Sequence, residues 1–319
     1  MRNIVLIFIC SLAYTNSFAQ KSLNIHKSDF TPESFLTSTI DSIRFTANET
    51  VMRIHFENFQ SDYLLSEIDS ITITNNDIPT EGTIDMSQTI PSQILGGNQS
   101  YTIYLPPSYN VSPNREYPIL YLLHGLGQNY RSWETNGNMK AIADEAFAGG
   151  TCEEMIIVSP EAYASFYVNG YYQGMNYEDY FVNEFIPIIE STYRVKANKG
   201  GRSISGLSMG GYGCTYHAFS RPEMFSSCFA MSSAYTGTYT QVGTLVVGKT
   251  DEELANFPAF VMECGTEDWG ALPMNDNVNN ILSQTSLVYT YTTRPGRHDW
   301  AFWQECLPKA LKLASDNFE

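Results

Sequence analysis

The sequence predicts an α/β fold: a mostly parallel sheet with helices on both faces, preceded by a small β-rich module. Three observations carry this. The run Ile119–Leu123 is apolar without interruption, as in a strand buried on both faces. Similar runs at 155–158, 203–207, 227–231 and 259–264 alternate with helical stretches near 136–148, 177–192, 210–220, 275–284 and 301–316. Ahead of all of them, residues 20–83 show only the two-residue alternation of half-buried strands.

The elements follow in order. Arg2, the apolar run 4–12 and Ser17-Phe18-Ala19 form a charged start, a short apolar core and a small-residue cleavage site. Residues 1–19 are therefore expected to be a signal peptide cut before Gln20. The run is too short for a permanent membrane anchor. Ile9 before Cys10 disfavours lipidation, which wants a small residue there. Export is expected, to the periplasm or the exterior.

In the module, Ile40-Asp41-Ser42-Ile43-Arg44-Phe45 returns as Ile68-Asp69-Ser70-Ile71-Thr72-Ile73, and 52–56 alternates in the same way. Two copies are too few for a solenoid. A spacer or accessory role is the plain reading, and carbohydrate or surface binding is the alternative. Residues 77–83 (DIPTEGT) read as a linker. That sets the expected units at 1–19, 20–83 and 84–319. The second half opens with a hairpin, 90–95 and 101–105 about Gly96-Gly97-Asn98.

The formal net charge of −16 argues against nucleic acid, whose phosphates need a basic surface. Loss of Cys10 with the leader would leave Cys152, Cys214, Cys228, Cys264 and Cys306. An odd number leaves at least one free thiol, and buried free thiols are the plain reading. Neither CxxC nor HExxH occurs, so no metal or other cofactor is expected.

Gly206-Leu207-Ser208-Met209-Gly210 follows an apolar strand and precedes a helical stretch. In that context G-x-S-x-G is a tight turn that lifts the Ser208 hydroxyl from the sheet edge. A hydroxyl needs a base to become a nucleophile. His298, between the strand 287–292 and the last helix, is the candidate, because His217 lies within the helix after the turn. The supporting acid is expected at a strand end between them. Asp268 in Gly265-Thr266-Glu267-Asp268 is the choice and Glu267 the alternative. An oxyanion hole would use the amides of Met209 and of Leu126, in the turn His124-Gly125-Leu126-Gly127 after Ile119–Leu123. Trp133, Tyr167, Tyr171, Trp269 and Trp300 crowd these motifs. They are expected to hold a sugar or phenolic group; ordinary packing is the alternative.

Four motifs together resemble the esterase D family: Leu122-Leu123-His124-Gly125, Gly206-Leu207-Ser208-Met209-Gly210-Gly211, Cys264-Gly265-Thr266-Glu267-Asp268, and Pro295-Gly296-Arg297-His298-Asp299-Trp300 with Trp303. That family includes feruloyl and acetylxylan esterases, S-formylglutathione hydrolases and tributyrin esterases. The resemblance spans residues 88–316 and implies the α/β-hydrolase fold, the triad and ester hydrolysis. With export, it implies removal of feruloyl or acetyl groups from plant polysaccharide. The alternatives are a small-acyl esterase of tributyrin type and an acyltransferase on the same triad. The partner is then a small-molecule or oligosaccharide ester.

Overall fold

The computed structural model describes residues 19–27, 32–36, 40, 42–45, 51–56, 60–77, 79–235 and 241–319. The expected leader, Ala19 excepted, lies outside them. The chain divides into a unit that ends at Pro79 and a unit of Thr80–Glu319.

In the first unit, β1 (Ala19–Lys27) pairs antiparallel with β2 (Pro32–Leu36) and with β6 (Ile68–Asp77). A second sheet holds β3 (Ser42–Phe45), β4 (Val51–His55) and β5 (Gln60–Leu64) in the order β3-β4-β5. Leu23, Ile25, Met52, Ile54, Phe56 and Tyr63 form its core. The repeated Ile-Asp-Ser-Ile segments thus contribute to different sheets, β3 to one and β6 to the other.

The second unit is one eight-stranded sheet. Its strands are β7 (Thr83–Pro91), β8 (Asn98–Leu105), β9 (Ile119–Leu123), β10 (Ile156–Pro160), β11 (Arg202–Leu207), β12 (Ser227–Met231), β13 (Ala259–Gly265) and β14 (Tyr289–Arg294). The spatial order is β14-β13-β12-β11-β9-β10-β8-β7. β7 and β8 form the antiparallel hairpin, and the strands from β9 to β14 run parallel. The hairpin's first strand is 83–91, not 90–95. Of its nine residues only Ile90 is buried, so its apolar signal is weak.

Nine α-helices are described: α1 (Ser132–Thr135), α2 (Met139–Ala148), α3 (Tyr177–Tyr180), α4 (Ile186–Thr192), α5 (Met209–Ser220), α6 (Gln241–Thr244), α7 (Asp251–Ala255), α8 (Leu272–Leu282) and α9 (Trp300–Asp316). A five-residue π turn, Phe181–Phe185, joins α3 to α4, so the expected helix 177–192 is continuous but widened. Asn138 at φ 54° separates α1 from α2, which shortens the helix expected at 136–148.

β9 shows why the sheet is buried on both faces. Ile119, Tyr121 and Leu123 enter one core beside Tyr212, Cys214 and Phe219 of α5. Leu120 and Leu122 enter the other, beside Phe147 of α2 and Leu307, Ala310 and Leu311 of α9. Alternate residues of a strand point to opposite faces, so an unbroken apolar run feeds two cores. Each buried Leu or Ile contributes about 1.5–3 kcal/mol. Cys152, Cys214, Cys228, Cys264 and Cys306 are free thiols, all buried except the half-buried Cys152. No described helix is long and apolar enough to cross a membrane.

Candidate active site

Ser208 stands between β11 and α5 at φ 52°, ψ −114°. This backbone is strained for a residue with a side chain, by roughly 1–3 kcal/mol. The surroundings hold it there. A Cβ on Gly206 would lie 2.4 Å from the Gly210 carbonyl oxygen, and one on Gly210 would lie 2.4 Å from that of Leu123. Only glycine lets the strand, the turn and β9 approach this closely. The Ser208 amide donates to the Met231 carbonyl at 2.8 Å, which ties the turn to β12.

The loops after β13 and β14 are laced together. The Thr266 amide donates to the Arg294 carbonyl at 2.8 Å and the Glu267 amide to that of Gly296 at 2.9 Å. A Cβ on Gly265 would meet the Gly296 carbonyl oxygen at 2.3 Å. This lacing brings Asp268 to His298. The imidazole donates from Nδ1 to Asp268 Oδ2 at 2.6 Å. Since a carboxylate only accepts, Nδ1 carries the proton and Nε2 is left to accept from Ser208 Oγ, 2.9 Å away. Asp268 is buried, whereas the His298 side chain is 40% exposed. Burial pushes the Asp268 carboxyl up, but hydrogen bonds from His298 and the Ala271 amide outweigh it, and its pKa lies below the ordinary value. Glu267 points elsewhere and pairs with Arg297 at 3.2 Å.

Met209 opens α5, so its amide is one of the helix-start donors with no acceptor inside the helix. Leu126 lies on the exposed turn after β9. Near it His124 is fully buried and held through both ring nitrogens. Nδ1 donates to the Gly125 carbonyl at 2.9 Å, and Nε2 accepts from the Ala162 amide at 3.0 Å. His217 is buried away from Ser208, Asp268 and His298 and donates from Nε2 to the Tyr167 carbonyl at 2.9 Å. Burial and the nearby Arg221 charge push its pKa down to about 3.

A cleft of about 450 Å³ opens at Ser208, Asp268 and His298, walled by Ala234, Trp269, Gly270, Ala271 and Met274. Of the aromatic residues expected to hold substrate, Trp269 lines this cleft and is 86% exposed. Tyr171 is 46% exposed, with its ring 4.5 Å from that of Phe166. Trp300 is half-buried between Trp133 and Trp303, at ring distances of 5.4 Å from each. Trp133 and Tyr167 correct the expectation. Both are fully buried and cannot lie against a substrate. Their polar tips bind backbone instead, Trp133 Nε1 the Leu123 carbonyl at 3.1 Å and Tyr167 Oη that of His124 at 3.0 Å. Trp303, which the sequence reading named within the fourth motif but gave no role, packs edge-to-face on His298 with ring centres 4.9 Å apart. Its signal was its place one helical turn into α9, directly after the candidate base. Among the described residues no group of three His, Cys, Asp or Glu side chains could hold a metal ion.

Known proteins resemble this chain. The family model described as putative esterase matches residues 92–242. An endo-1,4-beta-xylanase/feruloyl esterase of Xylanibacter ruminicola is 29% identical over 227 residues, 68% of this chain. This chain spans 29% of that relative's length. An acetyl esterase of Caldicellulosiruptor saccharolyticus is 23% identical over 227 residues, covering 61% of this chain and 82% of the relative. A solved ferulic acid esterase superposes with a TM-score of 0.69 at 29% identity, over 75% of this chain and 99% of its own. The eight-stranded sheet, the strand-turn-helix serine and these relatives together show an α/β-hydrolase fold similar to that of the esterases which the four motifs resemble.

Proposed function

We propose that this chain is an exported serine esterase that releases feruloyl-type acyl groups from plant polysaccharide. The observation that carries the reading is the hydrogen-bonded line Asp268–His298–Ser208 at the mouth of an apolar cleft. In this reading Ser208 Oγ attacks the ester carbonyl while His298 Nε2 takes its proton. His298 then gives that proton to the departing sugar oxygen as its bond to the acyl carbon breaks, so the sugar leaves with a free hydroxyl and an acyl-enzyme remains. Water repeats the sequence and frees the acid. Asp268 holds the Nδ1 proton and stabilises the imidazolium in both halves. The Met209 and Leu126 amides receive the negative oxygen.

The acyl class follows from the cleft. About 450 Å³ walled by Trp269, Ala271 and Met274 is far more than an acetyl group fills. A planar phenolic ring against Trp269 gains burial plus stacking of about 0.5–1.5 kcal/mol. The xylanase/feruloyl esterase and the ferulic acid esterase among the similar proteins support the same class. The exposed edge of His298 supports hydrolysis over acyl transfer, which needs water kept out.

Two measurements test this. Ser208→Ala should lower ester turnover by at least ~10³-fold in a folded protein. Ferulate release from feruloylated xylo-oligosaccharide should exceed acetate release from the acetylated one. Near-normal turnover by folded Ser208→Ala would sink the mechanism. Fast tributyrin cleavage with slow turnover of both oligosaccharides would replace the substrate class with small acyl esters.

A further inference from the structure

Three consecutive carbonyls at the end of β9 accept hydrogen bonds from three buried aromatic side chains. Trp133 Nε1 holds that of Leu123 at 3.1 Å, Tyr167 Oη that of His124 at 3.0 Å, and His124 Nδ1 that of Gly125 at 2.9 Å. A trans peptide is planar, so a carbonyl and the N–H of the next residue point in opposite directions. Fixing these three oxygens therefore fixes the amides of His124, Gly125 and Leu126. The Gly125 amide is used within the turn, where it donates to Gln128 Oε1 at 2.9 Å. The Leu126 amide is the next in line, and its direction follows from the Gly125 carbonyl, which accepts from His124 Nδ1 at 2.9 Å and from the Gln128 amide at 3.2 Å.

Tyr167 is itself held by the helix behind the nucleophile. Its carbonyl accepts from His217 of α5, and a Cβ on Gly213 of the same helix would meet its ring at 2.5 Å. Its backbone sits at φ 62°, an unfavourable value for a tyrosine that this packing sustains. Tyr167 thus spans from α5, which follows Ser208, to the turn that carries Leu126.

We propose that Tyr167 and His124, with Trp133 behind them, are positioning residues that aim the Leu126 amide at the oxyanion site. This rests on the esterase reading above. It gives the buried aromatics a task in the chemical step rather than in substrate contact. A donor fixed before the reaction needs no reorganisation as charge develops, whereas a loosened one does.

The test uses the full chain, with active sites counted by a fluorophosphonate. Tyr167→Phe removes one hydroxyl. Losing a whole oxyanion donor lowers kcat about 10²–10³-fold, so a misaimed donor should lower it about tenfold with KM within about twofold. The loss should be equal on p-nitrophenyl acetate and methyl ferulate. A trifluoromethyl ketone adds Ser208 Oγ to its carbonyl, passes the Oγ proton to His298 and leaves a negative oxygen. Its inhibition should weaken in step with kcat, while inhibition by ferulate stays unchanged.

Unchanged kcat per titrated site would overturn the proposal. So would a loss confined to methyl ferulate and carried by KM, which would mean that the ring serves substrate. Should Tyr167→Phe fail to fold, His124→Asn and His124→Gln carry the same test. Asn keeps a donor near the Nδ1 position and should retain most of kcat, and Gln displaces it and should not. Equal behaviour of the two would overturn the proposal. A normal Ser208→Ala loss beside an unaffected Tyr167→Phe sinks the positioning role alone, whereas an active Ser208→Ala sinks the esterase reading beneath it.

Discussion

Glu267 and Asp268 are adjacent carboxylates, yet one turn sends them to different partners. The Asp268 amide donates back to the Gly265 carbonyl at 3.2 Å, and this turn directs its carboxylate inward to His298 and the Ala271 amide. Glu267 faces solvent and Arg297. Asp268→Asn should therefore lower kcat by several orders of magnitude, because an amide in that place favours the wrong imidazole tautomer. Glu267→Gln should change it little. Comparison of kcat/KM for the two variants decides this, and the reverse order would move the acid role to Glu267. The depressed Asp268 pKa has a further consequence, and its sign is definite. An acid held below its unfolded value near 3.9 stabilises the fold fully above that pH and loses the contribution as pH falls through the folded value. Acid inactivation that begins well above pH 4 thus does not come from Asp268. Ser208, Asp268 and His298 were legible as candidates in the sequence because each follows a strand, where the chain must leave the sheet. Trp133 and Tyr167 could not be assigned in that way. Proximity to a motif in sequence does not tell a pocket wall from a buried clamp, and the two differ only in what packs over the ring.

At the scale of elements, α5 connects Ser208 to the core. Every residue from Met209 to Thr215 is buried, and so is His217. The strands Ile119–Leu123 and Ser227–Met231 fall where the sequence predicts them, since burial on both faces makes their runs almost continuously apolar. The edge strand β14 is displaced from 287–292 to 289–294, and its residues are half-buried or exposed. His217 makes the helix pH-sensitive. Its pKa of about 3 in the fold lies below the ordinary ~6.5 of an unfolded chain. Between those values the unfolded chain takes up a proton and the folded one does not, so stability falls as pH drops. His217→Gln, which retains a donor for the Tyr167 carbonyl, should be less stable than wild type at pH 7 but lose less between pH 7 and 5. Urea unfolding at the two pH values measures this. A larger loss in the variant would show that another group governs acid sensitivity.

At the scale of the molecule, the boundary between the two units determines what the second one needs. The linker composition of 77–83 placed the boundary at 83/84, because Pro and Gly mark a break without saying which side keeps the flanking residues. The division instead falls between Pro79 and Thr80. The reason lies in Asp144 of α2, a buried carboxylate that accepts from the Gly82 amide at 2.7 Å, from Tyr104 Oη at 2.6 Å and from Lys140 Nζ at 2.6 Å. Lys140 also binds Glu81 at 2.7 Å. A Cβ on Gly82 would meet the Tyr104 ring at 2.4 Å, so this close approach needs glycine. Glu81 and Gly82 therefore belong to the sheet unit although their composition reads as linker. The residues proposed for the triad and the oxyanion turn, and those of the cleft, all lie in Thr80–Glu319. A chain that begins at Thr80 should retain turnover of p-nitrophenyl acetate within about twofold of the full chain per titrated site. A chain that begins at Ile84 lacks the Gly82 donor to Asp144. One buried hydrogen bond left unmade costs about 1–3 kcal/mol. At about 2–4 °C per kcal/mol for a unit of this size, its Tm should fall by several degrees relative to the Thr80 chain. A folded Thr80 chain without turnover would mean that the first unit completes the site. Equal Tm values for the two chains would mean that the Asp144 contacts do not hold the sheet's leading edge.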